Sequence, residues 1–136
     1  MQFKYSIEGG DFSKAGNASS QVKKMLKQLN VEPQTIKRIV VALYEAEVNI
    51  VAHAYNGIID ITIETDKIVA KLTDNGPGIP DINLAMTEGF STATSHVREM
   101  GFGAGLGLPN IKKNADKLEI KSEVGKGTEL TITVNL

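Results

Sequence analysis

Apolar and polar residues alternate near both ends of the chain and change to a helical period between them. Phe3, Tyr5 and Ile7 against Gln2, Lys4 and Ser6 predict a half-buried strand, closed by Gly9 and Gly10. From about Phe12 to Leu29, Val22, Met25, Leu26 and Leu29 recur at helical spacing with lysines opposite, which predicts an amphipathic surface helix. Pro33 suits a first helical turn, and a second helical pattern runs from about Gln34 to Ala54. Its stripe of Ile36, Val40, Leu43, Ile50, Val51 and Ala54 is flanked by Val41, Ala42, Ala46, Val48 and Ala52, so burial on most sides is expected. Polar groups break that surface in two places. Glu45 and Asn49 stand one turn apart on the side away from the stripe, and His53 continues their row. Glu47 falls inside the stripe, where an unpaired carboxylate would be costly, and is expected to reach an edge or a partner surface.

The next segment reads as a hairpin. Asn56-Gly57 predicts a turn into Ile59, Ile61 and Ile63, which alternate with Asp60, Thr62 and Glu64. Thr65-Asp66 predicts a second turn, and Ile68, Ala70 and Leu72 alternate with polar neighbours until Asp74. Ile82, Ala85 and Met86 predict a short helix with Asp81 near its cap. Leu108, Ile111, Ala115 and Leu118 predict a further helix with Pro109 in its first turn. Strands follow from Glu119 to Glu123 and from Thr128 to Leu136, joined by a turn at Gly125-Lys126-Gly127. Alternation in nearly every strand means a sheet wet on one face and packed on the other. With about three main helices to cover the packed face, the expected class is α+β, a two-layer sandwich. A doubly wound parallel sheet would show continuous apolar strands instead.

Composition narrows the function. At 136 residues the chain is read as one domain spanning residues 1–136, large enough for a hydrophobic core. A net charge of −1 makes no electrostatic case for nucleic-acid or membrane partners. The absence of cysteine excludes disulfides and thiolate metal sites. Neither a signal peptide nor a run of membrane-spanning length is present, so the cytoplasm is the expected location.

Two glycine clusters carry the candidate chemistry. Asp74-Asn75-Gly76-Pro77-Gly78-Ile79-Pro80-Asp81 follows a strand, and Gly101-Phe102-Gly103-Ala104-Gly105-Leu106-Gly107 precedes a helix. Bare backbone feeding a helix start is a natural seat for phosphate. The polar piece between them holds Ser91, Thr92, Thr94, Ser95, His96, Arg98 and Glu99 and reads as a mobile lid. Neither cluster has Walker A or dinucleotide-fold spacing, and no protein-kinase signature occurs.

Four boxes in order, Glu45-x-x-x-Asn49, Asp74-x-Gly76-x-Gly78, Gly101-x-Gly103-x-Gly105-x-Gly107 and Gly125-x-Gly127-Thr128, resemble the Bergerat-fold (GHKL) ATPase superfamily across nearly the whole chain. The resemblance is greatest to its small anti-sigma factors and serine/threonine kinases, with Glu88-Gly89-Phe90-Ser91-Thr92 and Leu106-Gly107-Leu108-Pro109 similar to the switch kinases of stress signalling. It implies a mixed, mostly antiparallel sheet with helices on one face, and ATP or ADP bound with Mg2+. In that likeness Asn49 is the magnesium ligand and Glu45 the catalytic base. Asp74 accepts the adenine amino group, with Gly76, Gly78 and Ile79 beside the base and Thr128 completing the contact. Gly101, Gly103, Gly105, Leu106 and Gly107 wrap the phosphates, and Arg98 in the lid counters their charge. Each residue has a plainer reading. Glu45 and Asn49 could be a structural pair, Asp74 a turn cap, Thr128 an ordinary strand threonine, and Arg98 a surface charge. His53 reads as a satisfied helix histidine and His96 as solvated.

The added domains of chaperone, gyrase or mismatch-repair members, and an upstream acceptor-histidine hairpin, are not expected on this reading. The expectation is therefore a serine/threonine kinase acting on a STAS-type antagonist, a sigma factor or both, with homodimerisation possible. The alternatives are a nucleotide-responsive anti-sigma or activator module with little turnover, or a detached histidine-kinase-like catalytic domain. The long lid and four-glycine box depart from typical anti-sigma factors.

Overall fold

The computed structural model describes residues 1–54, 56–79, 82, 86 and 107–136. In chain order these form β1 (Gln2–Glu8), a short 3-10 turn (Phe12–Lys14), α1 (Asn17–Gln28), α2 (Pro33–His53), β2 (Asn56–Ile63), β3 (Lys67–Asp74), α3 (Gly107–Asn114), β4 (Lys117–Glu123) and β5 (Gly127–Asn135). The strands make one sheet in the order β1-β2-β3-β5-β4, and every pairing is antiparallel. β5 lies between β3 and β4 and opposes both, so β3 and β4 run the same way without pairing. The chain between them, including α3, is a crossover that leaves room for the last strand.

Strand alternation sorts the sheet into two faces. Rows such as Tyr5–Ile59–Leu72–Leu130–Ile120 and Phe3–Ile61–Ala70–Ile132–Leu118 cross all five strands on the helix-covered side. Their central members are fully buried and pack under Ile36, Ile39, Leu43, Ala46, Ile50 and Val51 of α2. The opposite face is wet and carries ion pairs such as Lys4–Asp60 and Lys71–Glu129. This is the two-layer α+β sandwich that alternation predicts, with α2 as its central helix.

Several details differ from the sequence reading. The first helix starts at Asn17, because Gly16 precedes it with φ of 93° and residues 12–14 form the separate 3-10 turn. Asn56-Gly57 is the start of β2 and not a turn. Asn56 donates its N–H to the Asn75 side chain at 2.8 Å, and the space over Gly57 is taken by Ile50, so both residues are held extended. α3 stops at Asn114, and Leu118 belongs to β4 because Asp116 donates its N–H to Thr133 at 2.8 Å and so opens the ladder. Of the short helix at Ile82, Ala85 and Met86, one turn is described, with Met86 donating its N–H to Ile82 at 3.0 Å; Asp81 and Ala85 lie outside the described residues.

Glu47 also departs from the sequence reading. It does not reach an edge or a partner: it is 1% exposed. Its carboxylate accepts the N–H groups of Gly16 at 3.0 Å, Ala18 at 3.3 Å and Ser19 at 3.0 Å, and the Ser19 hydroxyl at 2.9 Å. A helix start has unpaired N–H groups and a positive dipole end, so a buried anion there is compensated. Glu47 therefore pins the start of α1 to the back of α2.

Candidate functional site

One row of the sheet breaks the apolar rule. It runs Ile7–Gly57–Asp74–Thr128–Ser122, directly paired across all five strands and in the same phase as the buried rows. Three polar side chains, all partly buried, thus replace the core at the end of β3. Directly opposed residues point to the same side, so Asp74, Thr128 and Ser122 face the helix layer together.

Their backbone surroundings are tight. The Asp74 carboxylate accepts the Gly76 N–H at 2.9 Å, an Asx-type turn that aims the chain away from the strand. At Gly127, φ is 133° and a Cβ would overlap the Asp74 carbonyl oxygen, so only glycine lets β5 lie this close to the end of β3. Gly78, with φ of 80°, has the Glu123 carbonyl oxygen where a Cβ would stand. The first glycine box thereby packs backbone on backbone against the β4–β5 turn, with Gly125 donating its N–H to Pro77 at 2.9 Å. Ile79 donates its N–H to the Ser122 hydroxyl at 2.7 Å.

Glu45 and Asn49 project from α2 toward the first turns of α3. Asn110 of α3 donates its side-chain N–H to Glu45 at 3.4 Å. A Cβ on Gly107 would stand 3.2 Å from the Asn49 side-chain oxygen, so the bare start of α3 fits against that amide. Asn49 is half-buried, and no described residue hydrogen-bonds its side chain. His53, one turn on, is near enough to feel the Asp74 charge. Burial holds its imidazole below the ordinary histidine range, and Asp74 partly offsets this.

Of the residues singled out from sequence, Glu45, Asn49, Asp74, Gly76, Gly78, Ile79, Gly107 and Thr128 fall into two adjoining groups, around α3 and around the end of β3. Arg98, Gly101, Gly103, Gly105 and Leu106 lie outside the described residues, as do His96 and the rest of the expected lid. Sequence reasoning missed Ser122, Asn110 and the close approach at Gly127. Ser122 was readable as a polar residue continuing the inward series Leu118, Ile120; nothing marked Asn110. A groove of about 700 Å³ between α1 and α2, lined by Lys23, Lys27, Val31, Ile36, Lys37 and Val40, contains none of these residues.

Among the described residues no helix is long and apolar enough to cross a membrane, and no three His, Asp or Glu side chains group to hold a metal by themselves.

Residues 34–136 match the family described as histidine kinase-, DNA gyrase B-, and HSP90-like ATPase. The serine/threonine-protein kinase RsbT of Bacillus subtilis is 39% identical over 99 residues, covering 68% of this chain and 67% of that protein. An anti-sigma F factor of Thermoanaerobacter is 33% identical over 141 residues, covering 98% and 95%. Among solved structures, the RsbU and RsbW domains of Rv1364c from Mycobacterium tuberculosis align over 98% of this chain and 32% of theirs, with TM-score 0.67 and 16% identity. The SiaB-SiaC complex of Pseudomonas aeruginosa aligns over 97% and 88%, with TM-score 0.69 and 12% identity, a likeness of fold. Four ordered boxes, the antiparallel sheet under α2 and these matches agree: the chain belongs to the histidine kinase-, DNA gyrase B- and HSP90-like ATPase family, among its anti-sigma F factors and RsbT-type kinases.

Proposed function

We propose that the chain is an ATP-dependent serine/threonine kinase of the anti-sigma-factor type, acting in the cytoplasm on a protein partner of bacterial transcription or stress signalling. The observation that carries this is the meeting of Glu45 and Asn49 with the bare start of α3, beside the polar row of Asp74 and Thr128. Asp74 and Thr128 accept the adenine edge, and Gly76, Gly78 and Ile79 bring backbone to the plane of the base. The start of α3 at Gly107 receives phosphate, since a helix's first turn offers N–H groups and positive potential. By the family resemblance Gly101, Gly103, Gly105 and Leu106 extend that cradle and Arg98 adds a positive charge.

Asn49 fits a magnesium ligand. Its amide is unpartnered among described residues and faces a helix start without a side chain. One protein oxygen would suffice for a cation held mainly by nucleotide phosphates and water, and the ion would supply neutralisation of phosphate charge. Glu45, held by Asn110, takes the proton as the partner's serine oxygen bonds to the γ-phosphorus and the bond to the ADP oxygen breaks. The partner is a STAS-type antagonist, a sigma factor or both; the relatives named anti-sigma F factor, beside the one named a kinase, favour a second reading, nucleotide-dependent sequestration with little turnover.

Labelled ATP and purified antagonists separate the two. Glu45→Ala should keep ATP binding and lose about 10²- to 10⁴-fold in phosphoryl transfer. Asp74→Asn should lose nucleotide binding. Transfer to serine at an unchanged rate in Glu45→Ala refutes the base assignment. No transfer from the wild type, with partner capture that follows nucleotide and survives Glu45→Ala, establishes the second reading.

A further inference from the structure

Ser122 lies beyond the residues assigned above, yet its hydroxyl joins three parts of the polar row. It accepts the Ile79 N–H at 2.7 Å, stands 3.1 Å from the Gly127 carbonyl as a donor, and lies 2.9 Å from the Thr128 hydroxyl. It has one proton and two lone pairs. Donation to Thr128 would leave the Gly127 contact without a proton. Donation to Gly127 lets Thr128 donate to Ser122, and all three contacts are then satisfied at once. The network therefore selects the second arrangement, because partly buried polar atoms are stable when every contact is made.

The consequence falls on Thr128. Its only proton is committed to Ser122, so it offers its surroundings lone pairs alone. Asp74, directly opposite across the ladder, is also an acceptor when ionised. Two acceptors side by side suit an exocyclic amine, which brings two protons. They oppose a carbonyl oxygen in the same place.

We propose that Ser122 is a positioning residue that sets the Thr128 hydroxyl as an acceptor, and so makes the site select a 6-amino purine over a 6-oxo purine. This rests on the nucleotide reading of the site. Ser122 acts through Thr128 and through the Ile79 backbone and does not itself touch the base.

The test measures binding of ATP and ITP, each with magnesium, by calorimetry. The two ligands differ at the purine 6-position and the N1 proton that accompanies it. The wild type should prefer ATP. Ser122→Ala frees the Thr128 proton, so ATP should weaken about tenfold while ITP holds or tightens, and discrimination should fall about tenfold. Ser122→Thr, which keeps the hydroxyl, should restore the ratio. In Thr128→Ala, adding Ser122→Ala should leave the ratio unchanged, as expected for one coupled unit. Equal weakening of both nucleotides in Ser122→Ala would mean Ser122 only braces the turn, and would overturn the proposal while sparing the nucleotide reading. A wild type that binds ATP but does not discriminate overturns it in the same way. A folded wild type that binds neither nucleotide refutes both.

Discussion

Replacing Glu47 by glutamine tests whether a buried anion holds α1 on α2. Glutamine keeps the shape and one acceptor oxygen but exchanges the other for an amine. In its better orientation the remaining oxygen serves Gly16 and Ala18, as one carboxylate oxygen does now. The amine then faces Ser19. The Ser19 hydroxyl can adapt by accepting from it and donating to the Gly16 carbonyl, 3.2 Å away. The Ser19 N–H cannot adapt and is left buried without an acceptor. One orphaned donor costs about 1–3 kcal/mol, and losing the anion at a helix start adds up to about 2 kcal/mol, so the expected loss is about 1–5 kcal/mol, centred near about 3 kcal/mol. Glu47→Ala removes every acceptor and leaves a void, with an expected loss of about 3–5 kcal/mol. For a domain of this size the glutamine variant should melt about 10 °C below wild type and the alanine variant about 15 °C below. Hydrogen exchange should localise the defect to the amides of Ala18 and Ser19. A glutamine variant melting within about 2 °C of wild type would refute the reasoning, because it would mean that neither the charge nor the second acceptor matters.

Three further outcomes follow from the same geometry. Gly127→Ala should lose at least about 3 kcal/mol in urea unfolding and weaken ATP binding, since the new methyl overlaps the Asp74 carbonyl at an unfavourable φ; a stable variant with full affinity would contradict the close approach of β5. Gly107→Ala should instead spare stability and weaken magnesium-dependent ATP binding about tenfold, because its methyl would press on the Asn49 amide; a Mg2+ titration decides. His53, its imidazole held low mainly by burial, takes up its proton more readily when unfolded. Its contribution is therefore present above the ordinary histidine pKa, about 6.5, and is lost as pH falls from there through the lower folded value. His53→Gln should flatten that part of the stability–pH curve, and an unchanged slope would show that the histidine is not buried neutral.

Most of the fold was legible because strand alternation and the period of α2 record burial directly. The misreadings share a cause. Asn56-Gly57 is strong local turn chemistry, but the Asn75 side chain and Ile50 hold it in the sheet. Leu118 continues a helical spacing, but pairing with Ile132 claims it for β4. Glu47 looked misplaced because its acceptor role is filled from another helix, 28 to 31 residues away in sequence. In each case a contact distant in sequence overrides the local signal. The candidate site was more legible than these details, since its glycine boxes and its helix pair are local in sequence. Ser122 and Asn110 were not, because their partners come from other elements.

Glu47, Asp74, Thr128 and Ser122 are four polar side chains in positions whose phase belongs to the core. A polar group in that phase survives only where something compensates its lost water. For Glu47 the compensation is complete: four donors converge on it, so it braces the fold and has nothing left to offer. For Asp74 it is partial, one carboxylate oxygen being held by Gly76 and the other having no partner among the described residues. Asn49 is left the same way, with an amide beside a bare helix start. Burial alone thus does not separate bracing from binding. The separation comes from counting acceptors and donors: Glu47 closes its account within the chain, whereas Asp74 and Asn49 leave capacity that a ligand with an amine at one end and phosphates at the other would complete.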